Sequence, residues 1–238
     1  QKGLISGVIS GTGSITTRII ATGGAWTLSG VNTYTGATQI QSGDLIIANT
    51  EVINNSSNLN LNGGRFVTGR VNGNTETLDS LNLLASSSIV LAAGSHSVIF
   101  PVCSGITWTA GATLTIYGWT GTAGSSGTGG KIYFGTSASG LSSTQLGQVR
   151  FDGYTGSAKL LSTGELVPSG PVLTVSAGST NHGSVCVGST GTSISYTISN
   201  TGTLNTKLPV TFEGRSCTSE NGCNNINSGD SVYVKGYN

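Results

Sequence analysis

Nine carboxylates, two histidines and four cysteines are the groups of this 238-residue chain best suited to acid, base, nucleophilic or metal chemistry. The acids are Asp44, Glu51, Glu76, Asp79, Asp152, Glu165, Glu213, Glu220 and Asp230. Cleavage of an acidic polysaccharide needs clustered carboxylates, for proton transfer or for calcium, and basic residues on the substrate. Only Glu76 and Asp79 are close neighbours in sequence, and the acids read as solvated surface charge unless a fold aligns distant ones. His96 and His182 lie in no recognisable Ser-His-Asp context. His96 reads as a surface or packing residue and His182 as a turn residue. Cys103, Cys186, Cys217 and Cys223 form no Cys-x-x-Cys pair, so no zinc site is expected. In an exported protein Cys217 and Cys223 are candidates for a loop-closing disulfide, although four cysteines allow three pairings. Cys103, after the apolar run Val98-Ile99-Phe100, reads equally as a buried thiol. The expectation is no catalysis, no metal and no cofactor.

Binding chemistry has two further candidates. Trp26, Tyr34, Trp108, Tyr117, Trp119 and Tyr154 would stack on sugars if exposed together, with Trp108 and Trp119 the residues singled out for carbohydrate contact. Core packing is the competing reading, because large aromatics dominate core energetics. The Gly-rich run Gly121–Gly130 before Lys131 has the cadence of a phosphate loop. However, Ser125 stands where the first glycine belongs, and Ile132 replaces the Ser or Thr that holds magnesium. It reads instead as a flexible loop between strands. Asn54-Asn55-Ser56-Ser57 holds overlapping glycosylation sequons and reads as a turn.

The elements that must position these groups are short strands. Apolar and small polar residues alternate in Asp44-Leu45-Ile46-Ile47, Asn58-Leu59-Asn60-Leu61-Asn62 and Thr113-Leu114-Thr115-Ile116, as in strands with one buried face. Most of the 38 glycines fall between such runs, where positive φ is needed. Strands are expected near 4–9, 14–20, 25–29, 37–41, 44–48, 58–62, 65–68, 78–84, 88–92, 97–100, 106–109, 113–118, 131–134, 148–152 and 157–167. The best helical candidate, Thr77–Leu84 with leucines three apart, reads better as a strand. Many short strands at close spacing fit a sandwich, a barrel or a solenoid.

Hydrophobic residues make up 36% of the chain, enough for a core, and charged residues only 8%, with ten basic against nine acidic. Nothing in that balance attracts nucleic acid or an anionic membrane. No apolar run reaches the length of a membrane-spanning helix. Met is absent and the first residue is Gln1, so the chain is either a fragment or, the favoured reading, a mature, processed protein. Two of four prolines fall in Leu166-Val167-Pro168-Ser169-Gly170-Pro171, a short extended linker. The expected division is therefore 1–168, a linker at 169–171, and 172–238.

Gly7-Val8-Ile9-Ser10-Gly11-Thr12-Gly13-Ser14-Ile15, Trp26-Thr27-Leu28-Ser29-Gly30, Asn32-Thr33-Tyr34-Thr35-Gly36-Ala37-Thr38 and Ser42-Gly43-Asp44-Leu45 follow one another at close spacing. Together they resemble the autotransporter-associated β-strand repeat. Leu114–Gly121, Ile132–Gly135, Gln145–Phe151 and Gly164–Pro168 are similar to the segment that ends such solenoids in large surface proteins. The resemblance implies a right-handed parallel β-helix acting as a stalk or adhesive passenger, with no membrane barrel following it here. Residues 172–238 suggest about five to seven strands, one of them at Gly183–Gly188, the scale of an immunoglobulin-like sandwich; Gly183–Gly188, the strand at Tyr196 and Asn200-Thr201-Gly202-Thr203-Leu204 resemble the Ig-like modules of secreted Bacteroidetes proteins. Thr107-Trp108-Thr109 and Thr113-Leu114-Thr115 also resemble the threonine rows of ice-binding solenoids, too briefly to make an array.

The functional expectation is a secreted or bacterial cell-surface structural protein, adhesin-like and without catalysis. It would serve adhesion, surface display or filament formation. Its expected partners are other copies of itself or neighbouring surface proteins, surface glycans, and the outer-membrane secretion machinery during export. An uncapped N-terminal coil would favour head-to-tail stacking. The alternative is a carbohydrate-binding or polysaccharide-degrading β-helix protein.

Overall fold

The computed structural model describes residues 2–19, 23–68 and 73–170, together with the backbone of four later strands, 173–177, 196–200, 210–213 and 231–234. The chain divides into two compact units, Gln1–Gly170 and Pro171–Asn238.

The first unit is a parallel β-solenoid. Its opening coil carries β1 (Lys2–Ile5) and β2 (Ile15–Arg18). The next two carry β3 (Ala25–Leu28) with β4 (Thr38–Ser42), and β5 (Asp44–Ile47) with β6 (Leu59–Asn62). Then come β7 (Arg65–Thr68), β8 (Thr75–Thr77) and β9 (Leu81–Ala85), followed by β10 (Ser87–Leu91) and β11 (Ser97–Phe100). The last coil has β12 (Leu114–Tyr117), β13 (Lys131–Phe134) and α1 (Ser143–Gln148), and leads into β14 (Val149–Phe151). The unit ends in the hairpin β15 (Ala158–Leu160) and β16 (Leu166–Pro168). Each strand stacks on its equivalent one coil on, giving sheets β1-β3-β5-β7-β10-β12-β14, β2-β4-β6-β9 and β8-β11-β13.

Alternation sets which side chains enter the core. In β6 Leu59 and Leu61 are buried, and they register on Leu81 and Leu83 of β9, so like stacks on like along the axis. The outward Asn82 amide donates to Asn60 Oδ1 at 2.8 Å, continuing the same column on the wet side. Further along the axis, Phe100 and Phe134 stack with ring centroids 5.0 Å apart. Gly43 makes the corner between β4 and β5 at φ 72°, a conformation that costs other residues about 1 kcal/mol or more.

Four expectations about elements change. Residues 106–109 are a loop, in which the Ile106 carbonyl accepts from the Gln145 side chain and the Trp108 indole N–H donates to the Leu81 carbonyl. The expected strand at 157–167 splits into the antiparallel pair β15 and β16. Thr75–Thr77 forms a strand, and Ser143–Gln148 forms a helix. That helix starts with a capping box: the Gln145 amide N–H donates to Ser142 Oγ at 3.2 Å, and the Ser142 N–H to Gln145 Oε1 at 2.8 Å. Ser142→Ala is expected to cost about 1 kcal/mol, measured as a shift in the urea midpoint. No change would mean that the helix is held by Gln145 alone.

In the second unit β17 (Leu173–Ala177) pairs antiparallel with β18 (Tyr196–Asn200), and β19 (Val210–Glu213) with β20 (Ser231–Val234). The expected strand at Gly183–Gly188, His182, Cys186 and the Cys217–Cys223 disulfide lie outside the described residues. No helix among the described residues is long and apolar enough to cross a membrane.

Candidate functional site

The carboxylates singled out by spacing are not brought together. Asp79 is exposed, whereas Glu76 is buried at 1% exposure. Glu76 Oε2 accepts from the Val52 N–H at 2.8 Å and Oε1 from the Ile53 N–H at 2.7 Å, both one coil earlier. Those amides have no strand partner because the chain bends at Glu51, which has φ 49°. Burial pushes the Glu76 carboxyl up to about 8, against the pull of the two amide hydrogen bonds, and the Glu51 carboxylate adds to the rise. Glu51 Oε1 accepts from Thr77 Oγ1 at 2.9 Å.

Glu165 plays the same part at the other end. Its Oε1 accepts from the Gly127 N–H at 2.7 Å, its Oε2 accepts from Ser126 Oγ at 2.6 Å, and Lys131 Nζ lies 3.9 Å from Oε2. This ties down the Gly-rich run that the sequence presented as a flexible loop. The run folds back on itself through an antiparallel bridge between Gly121 and Gly127. A Cβ at Gly127 would sit 2.8 Å from the Trp119 indole nitrogen, so glycine is required there for close approach. Lys131 Nζ donates to Ser126 Oγ at 2.8 Å, and so fastens the loop.

Neither tryptophan singled out for carbohydrate presents a face to solvent, since Trp108 and Trp119 are both buried. The Trp108 indole N–H donates to the Leu81 carbonyl at 3.0 Å. Trp119 packs edge-on against Phe151 and Tyr154. A groove of about 210 Å³ beside Trp108 is lined by Thr107, Ser142, Thr144, Gln145 and Gln148 among others, below the roughly 300 Å³ at which ligand pockets begin. His96 is buried, its Nε2 2.8 Å from Thr68 Oγ1 and its Nδ1 3.1 Å from the Gly94 carbonyl, and burial lowers its pKa. Cys103 is a buried free thiol, its pKa raised by burial. The threonine stretches form no array, because Thr115 is flanked in its ladder by Ser88 and Arg150.

Sequence reasoning missed what the repeat residues do between coils. Asn32 is buried, and its Oδ1 accepts from the Ile9 N–H of the preceding coil at 2.8 Å. Its Nδ2 donates to the Gly30 carbonyl at 3.0 Å and, in the following coil, to the Val52 carbonyl at 2.8 Å. Tyr34 is buried with its hydroxyl 2.6 Å from Thr38 Oγ1, which lies 3.1 Å from Ser57 Oγ in the next coil. On the side of the early coils outside the strand ladders, these side chains add to backbone bonds from the Thr33 N–H to the Ile9 carbonyl, from the Thr35 N–H to the Gly11 carbonyl and from the Asn32 N–H to the Val52 carbonyl.

The two ends of the solenoid differ. At the C-terminal end, Gln145 Nε2 donates to the Cys103 and Ile106 carbonyls, and Gln148 Nε2 to the Thr109 and Ala112 carbonyls, at 2.8–3.0 Å. The Phe134 N–H donates to the Gly164 carbonyl, and Leu160, Leu166 and Val167 close the core. At the N-terminal end, among the described residues, β1 pairs with β3 and β2 with β4. The inward Ile5, Ile9 and Ile15 are only partly buried. Trp26 shares a column with the core residues Leu45 and Phe66, yet it is 38% exposed because its ring leans across Gly3.

Residues 191–238 match a family described as a family of unknown function, DUF5755. No curated protein and no solved structure matches the chain.

Proposed function

We propose that the chain is a structural protein of the bacterial surface or extracellular space. In this reading the β-solenoid is a stalk carrying an Ig-like module, serving adhesion, display or filament formation without catalysis. The observation that carries it is the use of the repeat's own polar residues. Asn32 and Thr38 bond to neighbouring coils, Tyr34 braces Thr38 within its own coil, and Glu76, beyond the repeat residues, likewise accepts from the coil before it, which suits an axial scaffold better than a reaction site. The low charge and the resemblance to passenger repeats support the surface, and the antiparallel pairs of the second unit support the Ig-like module. Partners in this reading are neighbouring surface proteins and, during export, the outer-membrane secretion machinery.

The test is antibody labelling and protease shaving of intact producing cells, beside a glycan array and a polysaccharide-cleavage assay on the purified protein. Labelling of intact cells with no reducing-end release is the expected result. Signal only after lysis would overturn the surface reading. Saturable glycan binding without cell-surface labelling would favour the carbohydrate alternative.

A further inference from the structure

The three parallel sheets of the solenoid turn different surfaces outward. In the seven-stranded sheet one outward column holds Lys2, Asp44, Arg65 and Arg150, and the sheet of β8, β11 and β13 carries Lys131. In the remaining sheet the outward positions of β4, β6 and β9 are Gln39, Gln41, Asn60, Asn62, Asn82 and Leu84, with no ionisable group among them. Gln39, Asn60 and Asn82 register in one column, where Asn82 already donates to Asn60. Among the described residues, the half-buried side chains of Gln39, Gln41 and Asn62 make no hydrogen bond.

We propose that this amide face packs against the same face of a second copy, side by side, in a two-fold dimer. Each carboxamide offers two N–H donors and an acceptor oxygen, so the face is complementary to itself. With the two solenoid axes antiparallel, β6 lies over its own copy and β4 over β9. Arg18, the charged residue of β2, then lies away from its counterpart, and no like charges are opposed. Strands repeat at about 4.8 Å along the axis, and a second solenoid of the same build presents its amides at that same interval, as in the Asn and Gln ladders of packed sheets. β4, β6 and β9 together cover roughly 14 by 17 Å, small beside the roughly 800 Å² per partner of a stable dimer. The pair is therefore weak, with a Kd of about 0.1–1 mM. The inference rests on this face alone and is independent of where the protein resides.

The test is sedimentation velocity of the full chain into the millimolar range, for the wild type, Asn60→Asp, Asn60→Lys and an equal mixture of the two variants. The wild type is expected to dimerise reversibly, with little effect of salt. Each variant alone sets like charges across the two-fold and should associate about tenfold more weakly. The mixture should pair at least as well as the wild type, and added salt should weaken that mixed pair. Because the mixture restores what each variant loses, misfolding cannot imitate the result. A monomer throughout the range, a dimer indifferent to both substitutions, or a mixture no better than its parts would each overturn the proposal. Saturable binding of a soluble neutral glucan, without dimerisation and lost in N60D, would overturn it too and give the face to a glycan.

Discussion

Replacing Glu76 by alanine is expected to destabilise the solenoid by about 2–5 kcal/mol, because two buried N–H groups would lose their only acceptors. The Val52 and Ile53 amides cannot turn to water, since Val52, Ile53 and Glu76 are each at most 1% exposed. Gln at this position keeps one acceptor oxygen but turns an NH₂ toward the other amide, so E76Q should lose less than E76A. The same site gives the fold a pH dependence of definite sign. The folded carboxyl titrates near 8, above its ordinary value of 4.5. The contribution from this group is therefore full below about pH 4.5 and declines as pH rises toward and through 8. Urea midpoints at pH 5, 7 and 9 should fall with pH in the wild type and stay flatter in E76Q. A wild-type midpoint that climbs over that range would show that the two amide bonds outweigh burial.

Asn32→Ala should cost about 2–4 kcal/mol, as it removes one acceptor and two donated bonds around a buried amide. The bonds reach the coils on both sides, to Ile9 and to Val52. Asp in its place keeps the acceptor and loses both donors, so N32D should be nearly as damaging. The decisive reading is hydrogen exchange at the Ile9 amide. It should become poorly protected in N32A while the Phe134 amide, bonded to Gly164, keeps its protection. Equal protection of Ile9 in both proteins would remove Asn32 from this role.

Much of the strand pattern was legible, because inward Leu59 and Leu61 alternate with Asn60 and Asn62, which stay half out, whereas in β5 Ile46 between Leu45 and Ile47 is buried in a second apolar cluster. The strand Thr75–Thr77 was not, since its inward residue is Glu76, and a carboxylate reads as an outward residue until its amide partners are known. The helix at Ser143–Gln148 had a visible signal in Ser142-Ser143-Thr144-Gln145, the spacing of a capping box, but it is too short to show periodicity. Residues 106–109 misled because Trp108 has strand-like neighbours and yet spends its indole N–H on the Leu81 carbonyl. The aromatic reading failed similarly at Trp108 and Trp119: sequence names aromatics without saying which face a packed wall. Trp26, which looked like one more strand residue, is left partly uncovered, as Tyr117 is, and its ring leans across Gly3 a whole coil away.

The reach of Asn32 to both sides changes how such a rod bears load. A stack joined only by neighbour-to-neighbour ladders unravels one ring at a time from its loose end, like a coil of rope. A side chain that grips the ring before and the ring after makes those three let go together. Tension along the axis is then shared across those three rings, and the middle one cannot part from either neighbour without breaking the grip of Asn32.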